Sequence, residues 1–270
     1  MLQTLRNISV DNWSYRNQVW YLAVTDLKKT IHGTWLGWIW LIARPIVYVC
    51  TFWFTLEIGL RVTKNLADGV PYVVWLATGF FVWNYISAMI SSGSNVYKRY
   101  NYLITKMQFP LPVISSFFSV AQLIVFALTL GILTIAMIVT RTPFSIYLLQ
   151  IPLLVLLLHF TFTMWSLMTS PLSAISKDFH NLVKVMTMPL MWLSGIFFDV
   201  SQIKYKLVRD VLAFNPVTFF VKSFRASICD RYWVWQHPGI YGPYLVSLTV
   251  LVVLALRIQS RLGKEIPDVI

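Results

Sequence analysis

The chain has 270 residues, 57% hydrophobic and 12% charged, with a formal net charge of +12. Soluble domains average roughly 45–50% apolar and about 25% charged residues, so neither a soluble globular protein nor a disordered one fits this composition. The basic surplus belongs at membrane interfaces rather than on nucleic acid, and Cys50 and Cys229 stand too far apart in sequence to form a metal or redox motif.

Taken in chain order, residues 1–34 do not read as a secretory signal, because residues 1–17 are polar and mixed where a signal needs an apolar run. Val19 to Ile31 reads as an amphipathic helix lying in the interface. Trp20, Val24, Leu27 and Ile31 share one face, and Asp26, Lys29 and Thr30 lie elsewhere. Six stretches then approach the ~20 apolar residues that a bilayer-spanning helix needs. They cover residues 35–60 (with Arg44-Pro45 near the start), 70–92, 111–139, 144–172, 185–200 and 241–258, and residues 259–270 form a tail. Pro110 and Pro112 sit at the start of the third stretch, where missing N–H groups cost least. The expected fold class is an all-α polytopic membrane protein with six transmembrane helices. Lys and Arg in the loops lean towards the side that holds both termini, so both are expected to be cytoplasmic.

Two connecting segments stand out. Between the second and third spans, residues 94–108 repeat Val96, Tyr100, Leu103 and Met107 on one helical face, with Asn95, Lys98, Arg99, Thr105 and Lys106 elsewhere. Such a helix either lies on the membrane as a basic anchor or docks into a partner protein's groove. Residues 201–240 hold two apolar patches separated by Asn215-Pro216, neither long enough to span. They read as a re-entrant or interfacial hairpin on the outer face, with a plain packed loop as the alternative.

The motifs of the common chemistries are missing. The sequence has no G-x-x-x-x-G-K-[ST], so the chain binds no ATP through a P-loop, and it has no H-E-x-x-H, C-x-x-C or G-x-S-x-G. His159, inside the fourth span, reads as a neutral histidine bonded to a neighbour or as a proton relay. The spans carry few ionisable groups, with Arg44 and Glu57 near their ends, which argues against an ion-coupled carrier. Energy is therefore expected from a separate subunit.

With these features in view, the chain resembles permease subunits of the ABC-2 (type V) exporters that move lipid-linked polysaccharides, and within them the wall teichoic acid group. The resemblance runs over nearly the whole length. It rests on LAVTDLKKTIHGTWLGWIWLIARP (residues 22–45, with Leu36-Gly37, Trp40 and Pro45), Gly69-Val70-Pro71-Tyr72, Gly79 to Trp83, and RYNYLITKMQFPLP (residues 99–112). It continues in Ser176-Lys177-Asp178, Asn215-Pro216-Val217, Ser223-Phe224-Arg225-Ala226 and the closing Pro267-Asp268-Val269-Ile270. Arg44, Lys177 and Ile266-Pro267 depart from the usual pattern, which bears on the polymer carried.

The resemblance implies a homodimer beside two ABC ATPase subunits, which hold the ATP and Mg, with no cofactor in this chain. It implies a multi-pass protein of the bacterial cytoplasmic membrane carrying a polyprenyl-diphosphate-linked anionic polymer. Residues 94–108 become the coupling helix, with Val96, Tyr97, Lys98, Arg99, Tyr100, Leu103, Lys106 and Asp178 as ATPase-coupling residues. Asn215, Pro216, Phe224 and Arg225 become part of an outer gate. Lys28, Lys29 and Arg44 suit a diphosphate head, although Arg44 also reads as snorkelling to headgroups. Trp83, Tyr85, Trp192, Phe197 and Phe198 are candidates to line a sugar path, although tryptophan and tyrosine also belong in interfacial belts, the reading preferred for Trp35, Trp38 and Trp40. Alternatives are an O-antigen or capsule permease, a drug or small-lipid exporter of the same fold, and a membrane glycosyltransferase, for which the outer acids Asp68, Asp199, Asp210 and Asp230 are too scattered.

Overall fold

The computed structural model describes residues 2–31, 35, 37–60, 70–107, 109–263 and 265–266, and among them the chain is helical with no strand. Helices α1 (Leu2–Ser14) and α2 (Arg16–Ile31) lead into α3 (Ile39–Trp53), which continues as a π-helical turn to Gly59. Then follow α4 (Tyr72–Ser91), the short α5 (Val96–Arg99) and α6 (Asn101–Thr105), and α7 (Leu111–Val139). The remainder is α8 (Ile151–Ile175), α9 (Lys177–Leu193), α10 (Lys206–Ala213), α11 (Pro216–Arg225) and α12 (Pro238–Leu262). Among the described residues five helical segments are long and apolar enough to cross a bilayer: Ile39–Gly59, Tyr72–Arg99, Leu111–Val139, Ile146–Ile175 and Pro238–Leu262.

The expected span at 185–200 needs correction. The helix there begins at Lys177 and ends at Leu193, and its first half carries Lys177, Asp178, His180, Asn181 and Lys184. Ser176 starts it by accepting a hydrogen bond from the Phe179 N–H, and Asp178 faces the positive end of the helix dipole. The apolar run continues past Leu193, but the chain turns there. Gly195 has φ +76°, and a Cβ at this position would lie 2.6 Å from Val200 Cγ2, so only glycine fits.

Helix α4 is the centre of the bundle. It packs on α3, α7, α8, α9 and α11 and is buried on nearly all sides, whereas the other long helices expose one broad apolar face. Exposed Leu, Val, Ile and Phe on those faces suit hydrocarbon as neighbour, where apolar exposure carries no penalty. Helix α8 approaches α4 and its continuation through a row of small buried residues. Ser166 and Ser170 both donate to the Gly93 carbonyl, at 2.8 and 2.9 Å. Helix α1, unexpected from sequence, packs on α7 and α12, so the first and last described helices are neighbours.

The lead-in helix also differs from expectation. Its buried side is Val19, Ala23, Asp26 and Leu27, with Ala23 and Leu27 packed on Ala121 of α7, while Trp20 is 59% exposed. The face is set by what α7 offers, which hydropathy along α2 alone does not reveal. Of the resemblance residues, 32–34, Leu36, Gly69, Gln108 and Pro267 to Ile270 lie outside the described residues.

Candidate functional site

The end of the bundle where α5 meets the last turn of α12 concentrates the charged chemistry. The expected single helix over 94–108 is two short helices. The chain leaves helical geometry at Tyr100 (φ −114°, ψ 32°), separating α5 from α6. The apolar face of this segment points inward. Val96, Tyr97, Tyr100, Leu103 and Ile104 are at most 5% exposed. Tyr97 donates to Gln259 Oε1 of α12 at 3.3 Å, and the Tyr100 ring meets Phe117 edge-on at 4.8 Å. The exposed side is Arg99, Asn101, Tyr102, Thr105, Lys106 and Met107, with Lys98 half-buried. Of the residues expected to contact a partner, Val96, Tyr97, Tyr100 and Leu103 are therefore internal, and Lys98, Arg99, Lys106 and the exposed Asp178 remain available.

Asp26 joins this segment to α2. Its carboxylate is 6% exposed, accepts a short hydrogen bond from the Tyr100 hydroxyl, and pairs with Arg99 at 3.2 Å. Burial, then the Asp26 carboxylate, push the Tyr100 pKa well above its ordinary value, so the hydroxyl stays protonated and donates. Arg99 also lies over the Tyr100 and Phe118 rings, and Lys29 Nζ sits 5.6 Å from the Tyr102 ring centre. Sequence reading missed Asp26 as a partner. The available signal was a carboxylate falling among the i, i+4 apolar positions Val19, Ala23 and Leu27.

Arg44 is exposed on α3 and shares a cavity of about 290 Å³ with Arg99. Asp26, Asn84, Ser92 and Gln122 add polar groups to its wall, and Trp40 and Phe118 add rings. The structure thus brings Arg44 together with Arg99, which sequence reading had assigned to coupling. Lys28 and Lys29 are exposed on α2 beyond this wall.

At the opposite end, α10 and α11 meet at Asn215-Pro216. Asn215 Oδ1 caps α11 by accepting from the Val217 N–H at 3.0 Å, and Asn215 Nδ2 donates to Ser194 Oγ at 2.9 Å. Pro216 occupies the first helical turn, where its missing N–H costs nothing. Arg225, only 4% exposed, donates to the carbonyls of Trp75, Gly195 and Ile196 at 3.2, 2.7 and 2.5 Å. Its guanidinium stacks 3.3 Å from the Trp75 ring centre. Gly79 leaves room for it, since a Cβ there would collide with Arg225 Nη2. Phe224 is fully buried beside Phe126. A cavity of about 430 Å³ opens here, lined by Trp75, Asp199, Lys222, Arg225, Tyr232 and His237 among others.

The aromatic residues expected along a sugar path fall into two groups. Trp83 and Tyr85 are buried inside the subunit, and Tyr85 Oη lies 3.2 Å from Ser119 Oγ and 3.4 Å from His159 Nδ1. His159 is also within 3.0 Å of Ser119 Oγ, so it is hydrogen-bonded in the core. Trp192 and Phe198 are exposed, and buried Phe197 packs between Trp192 and Phe52 at 4.6 and 4.7 Å. Among the described residues no group of His, Cys, Asp or Glu could hold a metal ion.

A family model described as ABC-2 type transporter matches residues 17–229. The chain is similar to the O-antigen export system permease protein RfbA of Klebsiella pneumoniae, 23% identical over 91% of this chain and 92% of that protein. It is also similar to the O-antigen export system permease protein RfbA of Myxococcus xanthus, 24% identical over 81% of this chain and 83% of that one.

Proposed function

Given that the chain belongs to the ABC-2 type transporter family, a family of membrane transport subunits that are not catalytic by themselves, we propose that it is the permease of an ATP-driven exporter of a polyprenyl-diphosphate-linked cell-surface polymer. The observation that carries this reading is the cavity holding both Arg44 and Arg99 beside the exposed polar side of α5 and α6. Two guanidinium forks in one cavity suit a diphosphate head, and the polar side beside it suits a protein partner. The permease works as a homodimer with two ATPase subunits that bind ATP and Mg. That end of the bundle faces the cytoplasm, so both termini are cytoplasmic. Helix α9 completes a sixth crossing together with the turn at Ser194, its 17 residues reaching about 25 Å at a rise of ~1.5 Å per residue. Helices α10 and α11 re-enter the outer face as a gate anchored by Arg225. ATP binding closes the ATPase pair, pushes α5 and α6, and opens a path between the two permeases past exposed Trp192 and Phe198.

The names of the relatives favour an O-antigen-type polysaccharide, and the Arg99 to Pro112 motif favours wall teichoic acid. Proteoliposomes holding the permease with its ATPase, loaded with either lipid-linked polymer, separate the two. ATP-dependent appearance of one polymer on the far side names the substrate. Transport of neither, alongside ATP-driven export of an amphipathic drug, would sink the polymer reading.

A further inference from the structure

A second cavity, about 270 Å³, lies between the end of α4 and α9 and is lined by Ser91, Ser92, Asn95, Arg99, His180 and Lys184. It shares Ser92 and Arg99 with the Arg44 cavity. Its wall holds two cations, Arg99 and Lys184, with an imidazole, two hydroxyls and an amide, and no carboxylate, a set that suits phosphate oxygens. His180 is fixed in place by Ser94 Oγ, 3.1 Å from its Nδ1.

Arg99 is the hinge between the two spaces. Its side chain is 42% exposed, and its one carboxylate partner among the described residues is Asp26, met through Nη2. Asp26 would not be orphaned if Arg99 left, because the Tyr100 hydroxyl still donates to the same oxygen. Arg99, the more exposed member of the pair, is the one able to change partner, and the Tyr100 hydrogen bond offsets part of what Asp26 then loses.

We propose that the cavity between α4 and α9 is a second phosphate-binding site, taking a phosphate or diphosphate group on a lipid, and that its ligand draws Arg99 away from Asp26 and so loosens α2 from α5 and α6. This rests on the reading above only in that a lipid-linked diphosphate is one source of the ligand; the headgroup of an anionic bilayer lipid is the other. Occupancy is then reported to the segment that faces the ATPase through the loss of one ion pair.

The test uses the permease–ATPase complex in nanodiscs of phosphatidylcholine, titrated with polyprenyl diphosphate, with hydrogen exchange of the α2 amides as a second readout. Lys184→Ala weakens binding roughly tenfold, the loss of one charge-assisted contact of about 1.4 kcal/mol, and His180→Ala weakens it by less, since a neutral imidazole adds an uncharged contact. Asp26→Asn tightens binding and leaves α2 exchanging fast without ligand. In wild type, ligand speeds α2 exchange. Phosphatidylglycerol nanodiscs that speed α2 exchange without polyprenyl diphosphate would identify a bilayer headgroup as the ligand and keep the site. Unchanged binding in Lys184→Ala and His180→Ala, with binding weakened by Arg44→Ala, overturns this inference and leaves the Arg44 reading standing. The converse pattern removes the Arg44 reading and keeps this site.

Discussion

Arg225 shows how one buried cation organises backbone. Three carbonyls from α4 and from the turn after α9 have this guanidinium as donor, and Gly79 exists in the space it fills. Replacing Arg225 by Met takes that donor from the Gly195 and Ile196 carbonyls of the turn, at a cost of about 1–3 kcal/mol for each one left unsatisfied. Thermal unfolding of the purified chain in detergent should fall sharply for Arg225→Met, and Gly79→Ala should lower it too by displacing the same side chain. Tyr85 makes a contrasting case. Its hydroxyl bonds inside the core to Ser119 and His159, so Tyr85→Phe is expected to cost about 1 kcal/mol of stability and to leave polymer transport unchanged. Reduced transport with unchanged stability would return Tyr85 to the path.

At the scale of the element, residues 94–107 carry the main lesson. Their periodicity is legible in sequence and marks Val96, Tyr100 and Leu103 as one apolar face, although Met107, expected on it, is 63% exposed and Tyr97 and Ile104 are buried instead, and a face that is apolar does not say what covers it. Here the subunit's own α2, α7, α8 and α12 supply the cover. Leu103→Ala should therefore act as a core truncation, costing about 2–5 kcal/mol, and should lower the yield of folded protein whether or not an ATPase is present. The coupling test belongs on the other side. Tyr102→Asp with Lys106→Glu should leave thermal unfolding of the permease alone unchanged while its co-purification with the ATPase is lost. Retained co-purification and transport-stimulated ATP hydrolysis would remove α5 and α6 from the interface.

At the scale of the molecule, the bundle is built around α4, with charge gathered at its two ends and a hydrogen-bonded core between them. Five of the long helices were visible as apolar runs because hydropathy over about 20 residues is a local property of sequence. The sixth run was misplaced by half its length. Its helix is started by Ser176 and stopped by the turn at Gly195, and both are decided by local capping and by Arg225 rather than by apolarity. Trp192 and Phe198 remain exposed on that side. Trp192→Ala with Phe198→Ala should slow polymer transport several-fold in proteoliposomes, with little change in unfolding temperature, since removing exposed rings opens no cavity.

The sequence by itself determined that the chain lives in a membrane, which stretches are apolar, that it carries no P-loop motif, and where proline and asparagine break the long segment before the last helix. Each of these follows from composition or from spacing within one turn or one span. Tertiary structure alone decided that Asp26 faces inward to hold Arg99 and Tyr100, that Arg44 and Arg99 share a cavity, and that Arg225 closes the turn after α9. The Asp26 pairings join residues 73 and 74 positions apart, and the Arg225 ones residues 29, 30 and 150 apart. Hydropathy and periodicity describe which face of a helix is apolar, and only packing decides which distant group that face meets.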